Sequence, residues 1–222
     1  MVSWSKSNRN RGYTMKLIKK LIAAMLLLTV VFAAGIWLFI EYLPYGYARQ
    51  VGAQERKLRE QIVATAVEWH GTQEGDKKHE QIIQIYNSLN PLALNYEVTM
   101  EDNWCAAFAS TVAIECNLTD IIPTECGCQR QIGLWEALGR WEENDNYMPH
   151  PGDYFYYAWD EEFSFGDCTG WADHVGIVVG SAGPIIKVIE GNWSDSVTYH
   201  YVLRGDYQIR GYGLPDYASI IE

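Results

Sequence analysis

The longest apolar stretch of the chain is LIAAMLLLTVVFAAGIWLFI, residues 21–40, which contains no charged residue. A helix of about 20 residues spans about 30 Å, which matches the hydrocarbon thickness of a bilayer. We therefore predict a transmembrane signal-anchor helix over residues 21–43. The alternative is a cleaved signal peptide that begins with MKLIKK at Met15 and ends after VFA at residues 31–33. The apolar run continues beyond that site, which favours the anchor.

Beyond the anchor, apolar positions first follow the helical period. Ile62, Ala66 and Trp69 recur at helical spacing before a stop at Gly71, and similar patterns continue along the chain. Helices are predicted over residues 48–71, 79–89, 105–115 and 129–141. The first of them begins with polar residues, and we assign that polar part to a stalk.

From residue 149 onward the pattern changes to short runs rich in aromatic and β-branched residues, separated by Gly, Pro and Asn. The runs are HPGDYFYYAW, DHVGIVVG, IIKVIEGN, VTYHYVLRG and YQIRGYG. Helices followed by an antiparallel sheet indicate an α+β fold. The predicted organisation is a basic head (residues 1–20), the transmembrane helix (21–43), a juxtamembrane stalk (44–59) and one α+β domain (60–222).

Charge is divided unevenly along the chain. Residues 1–20 carry six basic residues and no acid, whereas residues 44–222 carry 27 acids and 11 bases. An acidic domain argues against a nucleic-acid partner, because binding phosphates requires clustered Lys and Arg. The basic flank of the apolar helix predicts a single-pass protein with its N-terminus in the cytoplasm and its domain outside.

The cysteine count adds to this picture, because thiols outside the cytoplasm tend to pair and an odd number leaves one free. The five are Cys105, Cys116, Cys126, Cys128 and Cys168. The single residue between Cys126 and Cys128 disfavours a bridge between them, so we expect each to bond elsewhere, to Cys116 and Cys168, with the other pairings open. A zinc site built from the same four residues lacks the spacing of a zinc ribbon.

No metal or cofactor is predicted. The acidic segment DEEFSFGDCTG, residues 160–170, is interpreted as a solvated loop rather than a cation site, because its acids lack regular ligand spacing.

Cys105 opens the third predicted helix, in the stretch DNWCAAFAS. An isolated cysteine on an apolar helix usually packs as a small hydrophobe. Asp102 or Asn103 is well placed to cap this helix, which would put the thiol in its first turn. A helix N-terminus and a neighbouring imidazolium both lower the pKa of a thiol and make it nucleophilic. The question is therefore whether a histidine lies nearby.

His174 and Glu190 are the candidate partners. His174 opens the run DHVGIVVG, while Glu190 and Asn192 end the next strand, two positions apart and hence on one predicted face. If these strands pair as a hairpin around GSAGP, the antiparallel register brings His174 beside Glu190. An imidazole oriented by a carboxylate or amide can take the proton of a thiol and deliver it to a leaving amine. Backbone N–H groups at the helix start, including that of Cys105, could receive the oxyanion.

Five motifs occur in an order that resembles the CHAP domain, the cysteine, histidine-dependent amidohydrolase/peptidase family of the papain-like superfamily. They are WCAAFAS, PGDYFYY, DHVGIVVG, IEGN and IRGYGLP, and the resemblance extends over about residues 60–217. It implies a papain-like α+β fold and hydrolysis of peptidoglycan, either at the muramoyl amide or within the peptides. By position it makes Cys105 the nucleophile, His174 the base, Glu190 the orienting carboxylate and Asn192 the accompanying amide.

The sequence thus predicts a membrane-anchored, extracytoplasmic cysteine hydrolase that acts on peptidoglycan, as an N-acetylmuramoyl-L-alanine amidase or an endopeptidase. Two alternatives stay open. One is a papain-like protease acting on protein. The other is a scaffold in an envelope-spanning conjugation or secretion assembly, whose complex partners are unidentified.

Overall fold

The structure, a computed structural model, describes residues 3–47, 50–159 and 170–220, with side chains from residue 15 onward. The chain divides into two compact units, Met1–Pro44 and Tyr45–Glu222. The first contains helix α1 (Ser3–Glu41). Its segment Met15–Glu41 is 27 residues long and apolar enough to span a membrane by length and composition.

The second unit begins with helices and ends with strands, as an α+β domain. Its described residues form the α-helices α2 (Ala53–Glu68), α3 (Lys77–Asn87), α4 (Cys105–Glu115) and α5 (Cys128–Ala137), with short 3-10 helices at Ala93–Asn95 and Tyr217–Ile220. All four predicted helices are present. The last one ends before the predicted residue 141, because Trp141 instead begins a strand.

Helix α4 is the central helix of the domain. Its residues Cys105–Ala113 are all buried, because small side chains such as alanine allow neighbouring elements to approach on every side. A Cβ atom at Gly191 would lie 2.5 Å from Cβ of Phe108, so this glycine lets the helix pack directly against the sheet. The start of α4, and with it Cys105, is thereby fixed against the strands.

The predicted cap of α4 is wrong. Trp104 occupies the N-cap position, and no side chain bonds to the helix start. Asp102 instead accepts hydrogen bonds from the Thr99 amide, at 2.7 Å, and from the Tyr96 hydroxyl, at 2.8 Å. The first N–H groups of α4 therefore have no side-chain cap, which is the condition under which they can bind another acceptor.

In the part of the chain that the structure describes, six antiparallel strands form one sheet in the order β1-β6-β2-β3-β4-β5. They are β1 (Trp141–Glu142), β2 (Tyr154–Tyr157), β3 (His174–Ala182), β4 (Ile185–Trp193), β5 (Ser196–Leu203) and β6 (Ile209–Gly213). The predicted hairpin is the pair β3 and β4, with Gly176 opposite Glu190. The predicted α+β class is confirmed.

Part of the segment predicted as a stalk (44–59) belongs to the second unit. Arg59 of α2 is buried and bonds to Asp153 at 2.8 Å and to the carbonyl of Pro151 at 2.9 Å. Gly46 also exchanges two backbone hydrogen bonds with Ser181 of β3, both at 3.0 Å. These contacts join two residues before the predicted boundary at residue 60 to residues of the domain that follows it.

The predicted disulfides are absent among the cysteines that the structure describes. Cys105, Cys116, Cys126 and Cys128 are all free thiols. Cys116 lies against the hydroxyl of Thr65 at 3.3 Å, and Cys126 lies against Glu125 at 3.5 Å. Cys168 and most of the predicted acidic loop lie outside the described residues. The pairing prediction failed because it used only the compartment and the cysteine spacing, which carry no information on which sulfurs meet.

Candidate active site

Cys105 is the first residue of α4 and is buried, with 4% of its surface exposed. The neighbouring Trp104 fixes the position of Cys105. Its indole packs on His79 with ring centroids 4.5 Å apart, and its Nε1 donates to Glu74 at 3.2 Å. A wholly buried tryptophan beside the thiol holds the helix start in one place, so the sulfur has a defined position.

His174 and Glu190 meet as the hairpin register predicts. Nε2 of His174 lies 3.1 Å from Oε2 of Glu190, and both side chains are buried. A Cβ at Gly176 would lie 2.5 Å from Cγ of Glu190. The glycine on β3 therefore leaves the space through which the carboxylate reaches the imidazole.

The Cys105 thiol completes a set of three interacting groups, because Cys105 and His174 line one cavity and each shifts the pKa of the other. Since Nε2 of the imidazole faces Glu190, Nδ1 is the ring nitrogen left for the sulfur. The first residue of α4 and the first residue of β3 thus face each other across the junction of helix and sheet.

The second oxygen of Glu190 has partners that sequence reasoning missed. Oε1 accepts from the hydroxyl of Tyr157 at 2.8 Å and lies 3.3 Å from Nδ1 of His200. The sequence signal for His200 was the alternation of polar and aromatic residues in VTYHYVL, which is typical of a strand. That pattern does not show which residue of β4 pairs with His200. The register places His200 opposite Val188, diagonal to Glu190 and within its reach.

The charges of these groups reinforce one another. A hydrogen bond from Cys128 and the nearby His174 hold the pKa of the Cys105 thiol well below its ordinary value, although burial opposes this. Burial alone would lower the pKa of His174, yet Cys105 and Glu190 raise it to about 10. Burial alone would raise the pKa of Glu190, yet His174 and His200 lower it to about 2. These pKa shifts favour a thiolate on Cys105, an imidazolium on His174 and a carboxylate on Glu190.

Asn192 is not part of this set of interacting side chains. The pairing of β4 with β5 is irregular between Glu190 and Trp193, and Asn192 has a φ of +58°. Strict alternation, on which the same-face prediction depended, is interrupted here. The amide of Asn192 donates instead to Oδ1 of Asn103 at 3.3 Å, where both residues line a cavity beside Cys105.

Two cavities meet at the thiol. One, of about 310 Å³, is lined by Arg130, Trp171 and both Cys126 and Cys128, among others. The other, of about 420 Å³, is lined by Trp159, His174 and two aspartates, Asp173 and Asp195, among others. Cys105 and Asn103 border both cavities. Cys105 therefore borders open space in two cavities, which suits a substrate that extends beyond the reacting bond.

The family model of the CHAP domain matches residues 95–192. Residues 95–192 are thus recognised as a CHAP domain. The match begins before α4 and includes Cys105, His174, Glu190 and Asn192. No curated protein and no solved structure matches the chain.

A CHAP domain supports amidase or peptidase activity in general. The geometry of this CHAP domain fits such chemistry, because the imidazole lies against the carboxylate and shares a cavity with the thiol. The pKa shifts favour the charged forms that nucleophilic catalysis requires. Within the described part of the chain, no group of three or more His, Cys, Asp or Glu could hold a metal ion.

Proposed function

We propose that this protein is a cysteine hydrolase that cleaves amide bonds of peptidoglycan, with Cys105 as nucleophile, His174 as acid and base, and Glu190 as the group that orients His174. The observation that carries the proposal is that Cys105 and His174 share one cavity, where the imidazole lies 3.1 Å from the buried Glu190 carboxylate. The CHAP match supports peptidoglycan as the substrate class, because it is the typical substrate of that family.

The reaction follows from the charge states. The Cys105 thiolate attacks the carbonyl carbon of the amide, and the oxyanion lies near the uncapped N–H groups of α4. The His174 imidazolium then gives its proton to the leaving amine, and a thioester forms on Cys105. Neutral His174 next takes a proton from a water molecule as that water attacks the thioester. The acid is then released from Cys105. Glu190 stays ionised throughout, because its low pKa keeps it a carboxylate.

Helix α1 supports a membrane-anchored form of this enzyme. The basic residues before the apolar segment favour a cytoplasmic N-terminus and an extracytoplasmic domain. An anchor would restrict hydrolysis to the layer of peptidoglycan closest to the membrane. Asn192 and Asn103 lie beside the thiol in the acidic cavity and are proposed to bind substrate there.

Digestion of purified sacculi tests the proposal. The full-length protein in detergent is incubated with sacculi, and the new termini are identified by mass spectrometry, with Cys105→Ala as control. Free stem peptides would identify an amidase, and new amines within the peptides would identify an endopeptidase. Intact sacculi together with cleaved casein would favour the protease alternative. Equal release by Cys105→Ala and the unaltered protein would remove Cys105 from the reaction.

A further inference from the structure

A second thiol lies against the nucleophile. Cys128 is the first residue of α5, as Cys105 is the first residue of α4, and the two sulfurs are 3.6 Å apart. Both are nearly buried, and both border the 310 Å³ cavity. The proposed hydrolysis has no step for Cys128. Its position therefore calls for a separate explanation.

The two sulfurs differ in their protonation. The contact that lowers the pKa of the Cys105 thiol raises the pKa of Cys128 well above its ordinary value. The contact therefore favours the thiolate on Cys105 and the neutral thiol on Cys128. A thiolate is the form that reacts with a hydroperoxide, and a neighbouring thiol is the group that resolves the product.

The other described cysteines do not compete for this role. Cys126 contacts Glu125 and Tyr86, and Cys116 contacts Thr65. Among the described thiols, Cys128 is the one whose sulfur contacts Cys105. A disulfide bond is about 2.05 Å long, so the sulfurs need to approach by about 1.5 Å. The adjoining cavity gives them space to rotate, because both line it.

We propose that Cys105 and Cys128 form a reversible disulfide that switches the hydrolase off when a hydroperoxide oxidises the site. The Cys105 thiolate attacks one peroxide oxygen, the O–O bond breaks, and the products are a sulfenic acid and, after protonation, water. The Cys128 thiol then attacks the sulfenic sulfur, the S–O bond breaks, and a second water leaves. Two thiols and one hydrogen peroxide thus give one disulfide and two waters.

Two consequences follow from this bond. The disulfide removes the thiolate that attacks the substrate, so hydrolysis stops while it persists. It also prevents further oxidation of Cys105 to the sulfinic acid, which thiols do not reverse. A dithiol reductant restores both sulfurs and the activity.

The bond itself is measured without substrate. The reduced full-length protein in detergent is treated with hydrogen peroxide, alkylated, digested and analysed by mass spectrometry. The expected product is a peptide pair joined through Cys105 and Cys128, about 2 Da lighter than the two thiol peptides together. A bridge from Cys105 to any other cysteine, or oxidation of Cys105 without a bridge, would overturn the proposal. So would an unmodified Cys105.

The switch is measured as the fraction of sacculus hydrolysis that dithiothreitol restores after peroxide, relative to the same protein before treatment. This part rests on the proposed function, whereas the bridge does not, so the two can fail separately. We expect restoration in the unaltered protein and in the matched variant Cys126→Ser. In Cys128→Ser the loss of hydrolysis should persist after dithiothreitol, with Cys105 found as sulfinic acid. Equal restoration in Cys128→Ser and Cys126→Ser would overturn the proposal.

Discussion

At the scale of single residues, the site depends on how completely Glu190 is surrounded. Its carboxylate has no exposed surface, and its two oxygens contact His174 on one side and both Tyr157 and His200 on the other. A buried carboxylate held in this way keeps its charge and its orientation. The imidazole that depends on it therefore keeps its proton and its direction toward Cys105.

Removal of the Tyr157 hydroxyl tests this arrangement. In Tyr157→Phe the Glu190 carboxylate loses a hydrogen bond of a kind that contributes about 1.5–3 kcal/mol when one partner is charged. We expect kcat to fall about tenfold or more and the alkaline limb of the pH profile to move to lower pH, because His174 is held less firmly as imidazolium. Steady-state kinetics on muropeptides across pH measure both.

Tyr156→Phe is the matched control for this variant. Tyr156 is an equally buried neighbour, but its hydroxyl bonds to Trp135 at 2.7 Å and to Gln131 at 2.8 Å, on the side of α5. Loss of the Tyr156 hydroxyl should lower the melting temperature without moving the pH profile of activity. If Tyr157→Phe and Tyr156→Phe shift the profile equally, Tyr157 has only a structural role.

The pH dependence follows from the same contacts. The thiolate of Cys105 is present above its lowered pKa, and the imidazolium of His174 is present below about pH 10. The thiolate and the imidazolium are therefore present together only between these two pKa values. A plot of kcat/KM against pH should be bell-shaped, with its alkaline limb near pH 10. A profile that instead rises through pH 9, where an ordinary thiol ionises, would contradict the ion pair.

At the scale of elements, the junction of α4 with β4 positions the nucleophile. Gly191 permits this contact, since a Cβ there would overlap Phe108. We expect Gly191→Ala to destabilise the domain by about 1–3 kcal/mol through overpacking, measured as a lower denaturant midpoint. It should also reduce activity, because α4 carries Cys105.

Gly133→Ala is the control at the same scale. Gly133 lies inside α5, and a Cβ there would point into open space, so alanine should stabilise the helix by about 0.5–1 kcal/mol. Equal denaturant midpoints for Gly191→Ala and the unaltered protein would mean that α4 can move away from β4 at little cost in stability.

Sequence patterns predicted these elements well where periodicity is local. Helix α4 has the predicted bounds, and the β3–β4 hairpin brings His174 to Glu190 as expected, because an apolar run and a short turn define both. The patterns failed where contacts are distant or irregular. The contact of Cys128 with Cys105 depends on how two helix starts meet, and the position of Asn192 depends on an irregular strand, neither of which leaves a periodic signal.

At the scale of the whole molecule, the chain divides into one unit with the long apolar helix and a second unit with Cys105, His174 and Glu190. We expect deletion of residues 1–43 to leave hydrolysis of purified sacculi intact, because Cys105, His174 and Glu190 all lie in the second unit. In cells the truncated protein should leave the membrane fraction and lose its effect on the wall. Fractionation and wall-turnover assays measure these outcomes.

A matched variant replaces residues 21–40 with an unrelated apolar segment of equal length. It should retain membrane localisation and activity, because a spanning helix requires length and apolarity rather than a particular sequence. Unchanged wall turnover after deletion of residues 1–43 would show that the anchor does not direct the enzyme. The sequence predicted this segment without a structure, since an uninterrupted apolar run is visible from composition alone.

The most direct test of the central claim is capture of the thioester on Cys105. Muropeptides are mixed with the full-length protein, the reaction is stopped with acid within its first turnover, and the protein is digested and mapped by mass spectrometry. We predict that the peptide containing Cys105 carries the acyl part of the substrate and that Glu190→Gln lowers the amount formed. An acyl group on another residue, or continued hydrolysis by Cys105→Ala, would contradict the account.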